Sequence, residues 1–210
     1  VRRHAVRLAE SELRSSPVLI EQVLKLTEDD DPQVRLQAAL TLGENPARQN
    51  SQVISGLLMI AKRDFADRWI RTALLSSGVE IADDLLVALM EDQTFLSEDD
   101  GVVLLTQLAQ MIGARNHTLM VRQVLETIAV HPNMIRNPNI QEIVLMSVAD
   151  GLRRANTRLV DACSRLPKVR AIIDRLFDNA RRDALSDQTA LSRRIQSIQL
   201  FRHDNFQQVE

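Results

Sequence analysis

One cysteine, no tyrosine and six glycines set the first limits on this chain of 210 residues. A lone thiol, Cys163, excludes within these residues an internal disulfide, a CxxC zinc site and the CxxCH attachment of a c-type haem. The glycines are isolated, so there is no glycine-rich phosphate cradle and no GxSxG nucleophile elbow. Aromatic residues make up 3% of the chain, so the core must be built from Leu, Ile, Val, Ala and Met. No apolar run reaches the ~18 residues of a membrane span, and no signal peptide is evident. The chain starts at Val1, inside a helical pattern, which reads as a piece of a larger protein.

What is present suits a folded, water-facing protein: 45% hydrophobic and 26% charged residues, with a net charge of −2. The charge is uneven. Residues 1–150 hold 14 Lys/Arg against 21 Asp/Glu, whereas residues 151–210 hold 12 against 7. The basic end contains three arginine doublets, Arg153-Arg154, Arg181-Arg182 and Arg193-Arg194, a possible partner surface. Interspersed acids such as Asp174, Asp178 and Asp183 favour a solvated helix face instead.

The prolines Pro17, Pro32, Pro46, Pro132, Pro138 and Pro167 all fall between apolar-periodic segments. Proline lacks the amide that a helix interior needs but fits a first turn, so these residues punctuate helices. Apolar residues recur at three- and four-residue steps, predicting helices near 17–28, 50–63, 79–92, 98–113, 117–130, 139–154 and 167–184. No sustained alternation predicts a strand. Ser97 with Asp100 reads as a capping box, and Gly43 and Gly113 as left-handed helix closers.

Asp31-Pro32-Gln33-Val34-Arg35 recurs 36 positions later as Asp67-Arg68-Trp69-Ile70-Arg71, and Val1-Arg2 with Ala5 is a weaker copy. A mid-thirties period of paired short helices implies hairpins that bury their apolar faces only by stacking. The string Asp-x-x-Val-Arg-x-x-Ala resembles the HEAT repeat. The resemblance implies an all-α, right-handed α-solenoid of stacked antiparallel hairpins. It also implies a polar ladder in which Asp31 and Asp67 sit in turns and Arg35 and Arg71 in the following helices. More narrowly, through Val1–Glu10, Asp31–Leu40 and Asp67–Ser77, most of the chain, and chiefly its first 80 residues, resembles the helical region of planctomycete-type membrane-bound dehydrogenases, where a β-propeller precedes the HEAT region and a c-type haem domain follows. Neither flanking part lies in this sequence, so no redox activity is expected of it.

No constellation of catalytic residues emerges. Asp29-Asp30-Asp31 lacks the glycine and glutamate of a calcium loop and reads as helix-start acids, as do Asp83-Asp84 and Asp99-Asp100. His4, His117, His131 and His203 are too widely spaced for a metal pair. Cys163 reads as a buried thiol, although Arg165 would tend to lower its pKa. Asn116-His117-Thr118 matches a glycosylation sequon, a pattern common by chance. Trp69, beside Arg68 and Arg71, suits stacking on a base or an inter-hairpin packing position. Its spacing to Ala73 and Ser76 favours packing, and a buried tryptophan would cost about 3–5 kcal/mol on truncation to alanine.

The expectation is therefore a single HEAT-like repeat domain over 1–210, clear over 1–80 and degenerate over 81–210. Its function is expected to be that of a non-enzymatic protein-interaction or spacer scaffold. It would need no cofactor, metal or small-molecule substrate, would take a flanking domain or another chain as partner, and would not insert in a membrane. The alternative is a HEAT-like nucleic-acid-binding protein or DNA glycosylase, a class whose basic concave groove the acidic first half does not match. The compartment follows the parent: periplasmic or exported if it resembles the haem-containing dehydrogenases, otherwise cytoplasmic.

Overall fold

A computed structural model describes residues 1–13, 15–44 and 51–203, and the described residues form α-helices and short 3-10 turns with no strand. Of the six prolines, Pro17, Pro32, Pro132, Pro138 and Pro167 each occupy the first turn of a helix, where their missing amide costs nothing. Pro46 lies outside the described residues. The chain divides into two compact units, residues 1–108 and 109–210.

The first unit contains α1 (Arg2–Ala9), α2 (Pro17–Lys25), α3 (Pro32–Gly43), α4 (Ser51–Asp64), α5 (Arg68–Ser77), α6 (Ala82–Met90), α7 (Gln93–Leu96) and the start of α8 (Asp99–Arg115). Helix α3 packs against both α1 and α5, while α4 packs against both α2 and α6. Helix α3 also touches α2 and α4. The core of this unit is aliphatic: Val34, Ala38, Leu42, Leu57, Ile60, Ile70, Leu74, Leu86 and Leu89 are all at most 3% exposed. Each buried Leu or Ile contributes about 1.5–3 kcal/mol of transfer free energy. The two phenylalanines of this unit, Phe65 and Phe95, meet edge to face with centroids 5.2 Å apart.

Local caps fix where these helices begin. Asp31 Oδ1 accepts from the Gln33 amide at 2.9 Å. Asp67 Oδ1 accepts from the Trp69 and Ile70 amides at 2.7 and 3.2 Å, and Asp92 does the same for α7. The Ser97–Asp100 box is redirected: the Ser97 hydroxyl donates to the Gln93 carbonyl, and the Asp100 carboxylate accepts from Arg71.

The second unit contains the end of α8, then α9 (Thr118–Val130), α10 (Pro132–Arg136), α11 (Pro138–Arg154), α12 (Leu159–Ala162), α13 (Pro167–Leu185) and α14 (Leu191–Leu200). Helix α9 packs against α11 and α13, and α13 carries α14 along its side. Buried Gln141 of α11 donates its amide to the Ile128 carbonyl at 2.9 Å, satisfying an orphan group in the last turn of α9.

The glycine expectation is corrected. No glycine has a positive φ; Asn116 (51°) and Asn156 (56°) hold the left-handed positions instead. Gly43 and Gly113 lie within helices, and their missing side chains allow close approach. A Cβ on Gly43 would sit 2.4 Å from Ser77 Cβ. Gly113 and Gly151 bring α8 against α11, where a Cβ on either would lie 2.2 Å from a facing backbone carbonyl.

Candidate functional site

In the first unit the arginines of the repeated motif act in the same way. Arg35 is buried, with a side chain 5% exposed, because every face of its guanidinium finds an acceptor. Its Nε and Nη2 donate to the two oxygens of Asp64 at 2.7 and 2.6 Å, and its Nη1 donates to the carbonyls of Asp29 and Asp30 at 2.6 and 3.0 Å. Arg71 repeats the pattern: Nη1 donates to the Phe65 carbonyl, six residues back, and to Asp100 Oδ1 at 2.9 Å. The weaker first copy contributes Arg2, which donates to both oxygens of Asp29 at 2.7 and 2.9 Å. That arginine holds the Asp29 carboxyl below its ordinary range. The carboxylates that meet Arg35 and Arg71 are therefore Asp64 and Asp100, each 29 residues downstream, while Asp31 and Asp67 cap helices.

Trp69 does not pack between hairpins. It is 65% exposed, with the Arg68 guanidinium 5.2 Å from its ring centroid. The reason is angular: α5 turns Ile70, Ala73 and Leu74 inward, and Trp69, about 100° from Ile70 on the helix, falls outside that stripe.

The arginine doublets are largely spent within the chain. Arg181 pairs with Asp178 at 3.2 Å and Arg182 donates to Asn179. Arg193 Nε donates to Asp183 at 2.7 Å, and Arg194 reaches the Ala184 carbonyl at 3.3 Å, so this doublet clasps α14 to the end of α13. Arg153 and Arg154 are exposed at the end of α11.

Elsewhere the chemistry is quiet. Burial pushes the Cys163 thiol up to about 12, and the cation opposing that shift is Arg170. Such a thiol is not a nucleophile at neutral pH. His131 caps α10 through Nδ1. His203 is buried; Arg202 donates to its Nε2 at 2.9 Å, and desolvation lowers its pKa against the pull of Asp150. Among the described residues no group of three His, Cys, Asp or Glu could hold a metal, and no helix is long and apolar enough to cross a membrane.

A groove of about 440 Å³ lies in the second unit, between α11, α13 and α14. Its floor is apolar: Ile143, Met146, Leu176, Ala180 and Leu200. Four amide side chains line it, Asn139, Asn179, Gln196 and Gln199, along with Glu142, Asp183, Arg193 and Arg202. Asp183 is engaged by Arg193, and Arg202 by Asp150 at 2.9 Å. Desolvation raises the pKa of Glu142, with Arg175 and Arg193 opposing from a distance. A smaller concavity of about 250 Å³ between α2 and α4 has no charged lining. Of the charged residues singled out in the sequence, Asp183 and Arg193 line the groove. The rest of its lining is spread over three helices without a local motif.

Comparison with protein-family models, with curated proteins and with solved structures finds no match for this chain.

Proposed function

We propose that the chain is a HEAT-like α-solenoid of stacked antiparallel hairpins, serving as a non-enzymatic protein-interaction or spacer module of a larger multidomain protein. The observation that carries this reading is the recurrence of one arrangement: an arginine in the first turn of a helix bonds a carbonyl six residues back and a carboxylate 29 residues ahead, at Arg35 and again at Arg71. A polar contact repeated at constant spacing pins neighbouring hairpins in one register. It suits a module whose work is geometric, holding a surface or two flanking domains in place.

A second reading, a HEAT-like nucleic-acid-binding protein or DNA glycosylase, gains from the exposed Trp69 with Arg68 above it, since an aromatic face and a cation suit base stacking. The acidic balance of the first unit opposes it. A fluorescence-polarisation titration with duplex DNA separates the two. The interaction module shows no binding that depends on salt, whereas tight binding that weakens steeply with added salt overturns it.

A further inference from the structure

Helix α14 is held at its two ends. Arg193 and Arg194 clasp its start to α13. Along its length it buries Ser197, while Leu191, Ile195 and Ile198, at four- and three-residue steps on one face, are exposed. The helix therefore gains little from its own apolar surface and depends on the 3-10 turn that follows, Phe201–His203. Phe201 stacks on Phe177 of α13 with ring centroids 6.5 Å apart. The His203 side chain is 3% exposed and faces Asp150 of α11.

The polar contacts of this turn require a neutral imidazole. Arg202 Nε donates to His203 Nε2 at 2.9 Å, and Arg202 Nη2 donates to the Asp150 oxygens at 2.9 and 3.2 Å. His203 Nε2 also lies 3.3 Å from Asp150 Oδ1. A neutral ring has one acceptor nitrogen, which the Arg202 contact uses; a protonated ring has none. Protonation would leave two donors facing each other and set His203 against Arg202 for the same carboxylate. Arg153 of α11 adds a further positive charge. On the neighbouring helices, Arg193 and Arg194 of α14 are turned to Asp183 and Asp187, and α13 meets the turn through Phe177. Burial opposes the charged ring as well, holding its pKa below the ordinary value against the pull of Asp150.

We propose that the Phe201–His203 turn is an acid-sensitive anchor: neutral His203 seats it on α11, and protonation of the ring releases the turn and frees the end of α14. The sign follows from the two states. Seated, the ring resists a proton; released, it regains an ordinary histidine value near about 6.5. The anchor is fully in place above that pH and is lost progressively as the pH falls towards the depressed value of the seated ring. Gln196, Ser197 and Leu200 of α14 line the groove, so release opens that wall.

Two NMR measurements on the full chain test this. In assigned proton–carbon spectra of the imidazole rings, His203 should titrate below the ordinary value of about 6.5. Amide-exchange protection factors in α14 should fall at least about threefold from about pH 7.5 to about pH 5.5, while those of α11 hold. His203→Gln keeps an acceptor for Arg202 but takes up no proton, so its α14 protection should not follow pH across this range. That variant retains His131, whose Nδ1 caps α10, so an acid effect arising there would persist in it. A His203 midpoint at or above the ordinary value overturns the proposal, as does α14 protection unchanged by acid. An equal acid loss in His203→Gln overturns it too. Should that variant not fold, the ring midpoint and the α14 protection of the unaltered chain still decide.

Discussion

The two units solve one problem, burying the apolar sides of short helices, with different means. The first, residues 1–108, holds 11 Lys/Arg against 18 Asp/Glu, and the arginines of its repeated motif each find a carboxylate. The second, residues 109–210, holds 15 against 10. Between α8 and α11 it relies on the facing glycines Gly113 and Gly151. A charge pair specifies register, because only one alignment satisfies the guanidinium. A glycine contact specifies distance, because any side chain forces the helices apart.

That contrast breaks first at Asp64. Asp64→Ala leaves Arg35 buried with its Nε and Nη2 deprived of acceptors, and removing one partner of a buried pair costs about 3–5 kcal/mol. Urea unfolding followed by circular dichroism should show this loss. A cost below about 1 kcal/mol, typical of exposed pairs, would mean that the Arg35–Asp64 pair does not hold α3 to α4.

In the second unit the matching probe is Gly151→Ala. Alanine improves helix propensity by about 1 kcal/mol, so an exposed site would be stabilised. Here the added methyl meets the Gln110 carbonyl at 2.2 Å and the Gly113 Cα at 2.8 Å, both backbone atoms that cannot rotate away. Overpacking of this kind costs about 1–3 kcal/mol. A variant more stable than the parent in thermal unfolding would show that α8 and α11 do not approach this closely.

The sequence discloses the helices better than the contacts between them. Proline at a first turn and leucine or valine at three- and four-residue steps are local signals, so α4 (Ser51–Asp64) and α13 (Pro167–Leu185) match their predicted spans within a residue or two. Helices α7 and α12 escape because four residues hold barely one turn of periodicity. The carboxylates that meet Arg35 and Arg71 escape for another reason: each lies 29 residues beyond its arginine, outside the motif that holds it. The equal spacing from Arg35 to Asp64 and from Arg71 to Asp100 was a usable signal. The groove leaves no such trace. Asn139, Asn179 and Gln196 are ordinary surface amides until three helices bring them together.

Trp69 marks the smallest effect and the sharpest limit on reading a repeat by analogy. It occupies the place that Gln33 holds in the previous copy, one residue before the apolar Val34 or Ile70. Both positions follow the cap by two residues and donate their amides to it, which leaves their side chains outside the buried stripe. The size of an indole invites burial, but the helix phase decides. Trp69→Ala should therefore change unfolding stability by no more than about 0.5 kcal/mol, as at other exposed positions. The chain's single indole should also be readily quenched by acrylamide in the native state. A loss near the roughly 3–5 kcal/mol of a buried aromatic would put Trp69 between hairpins and return the first unit to a core partly organised by an aromatic side chain.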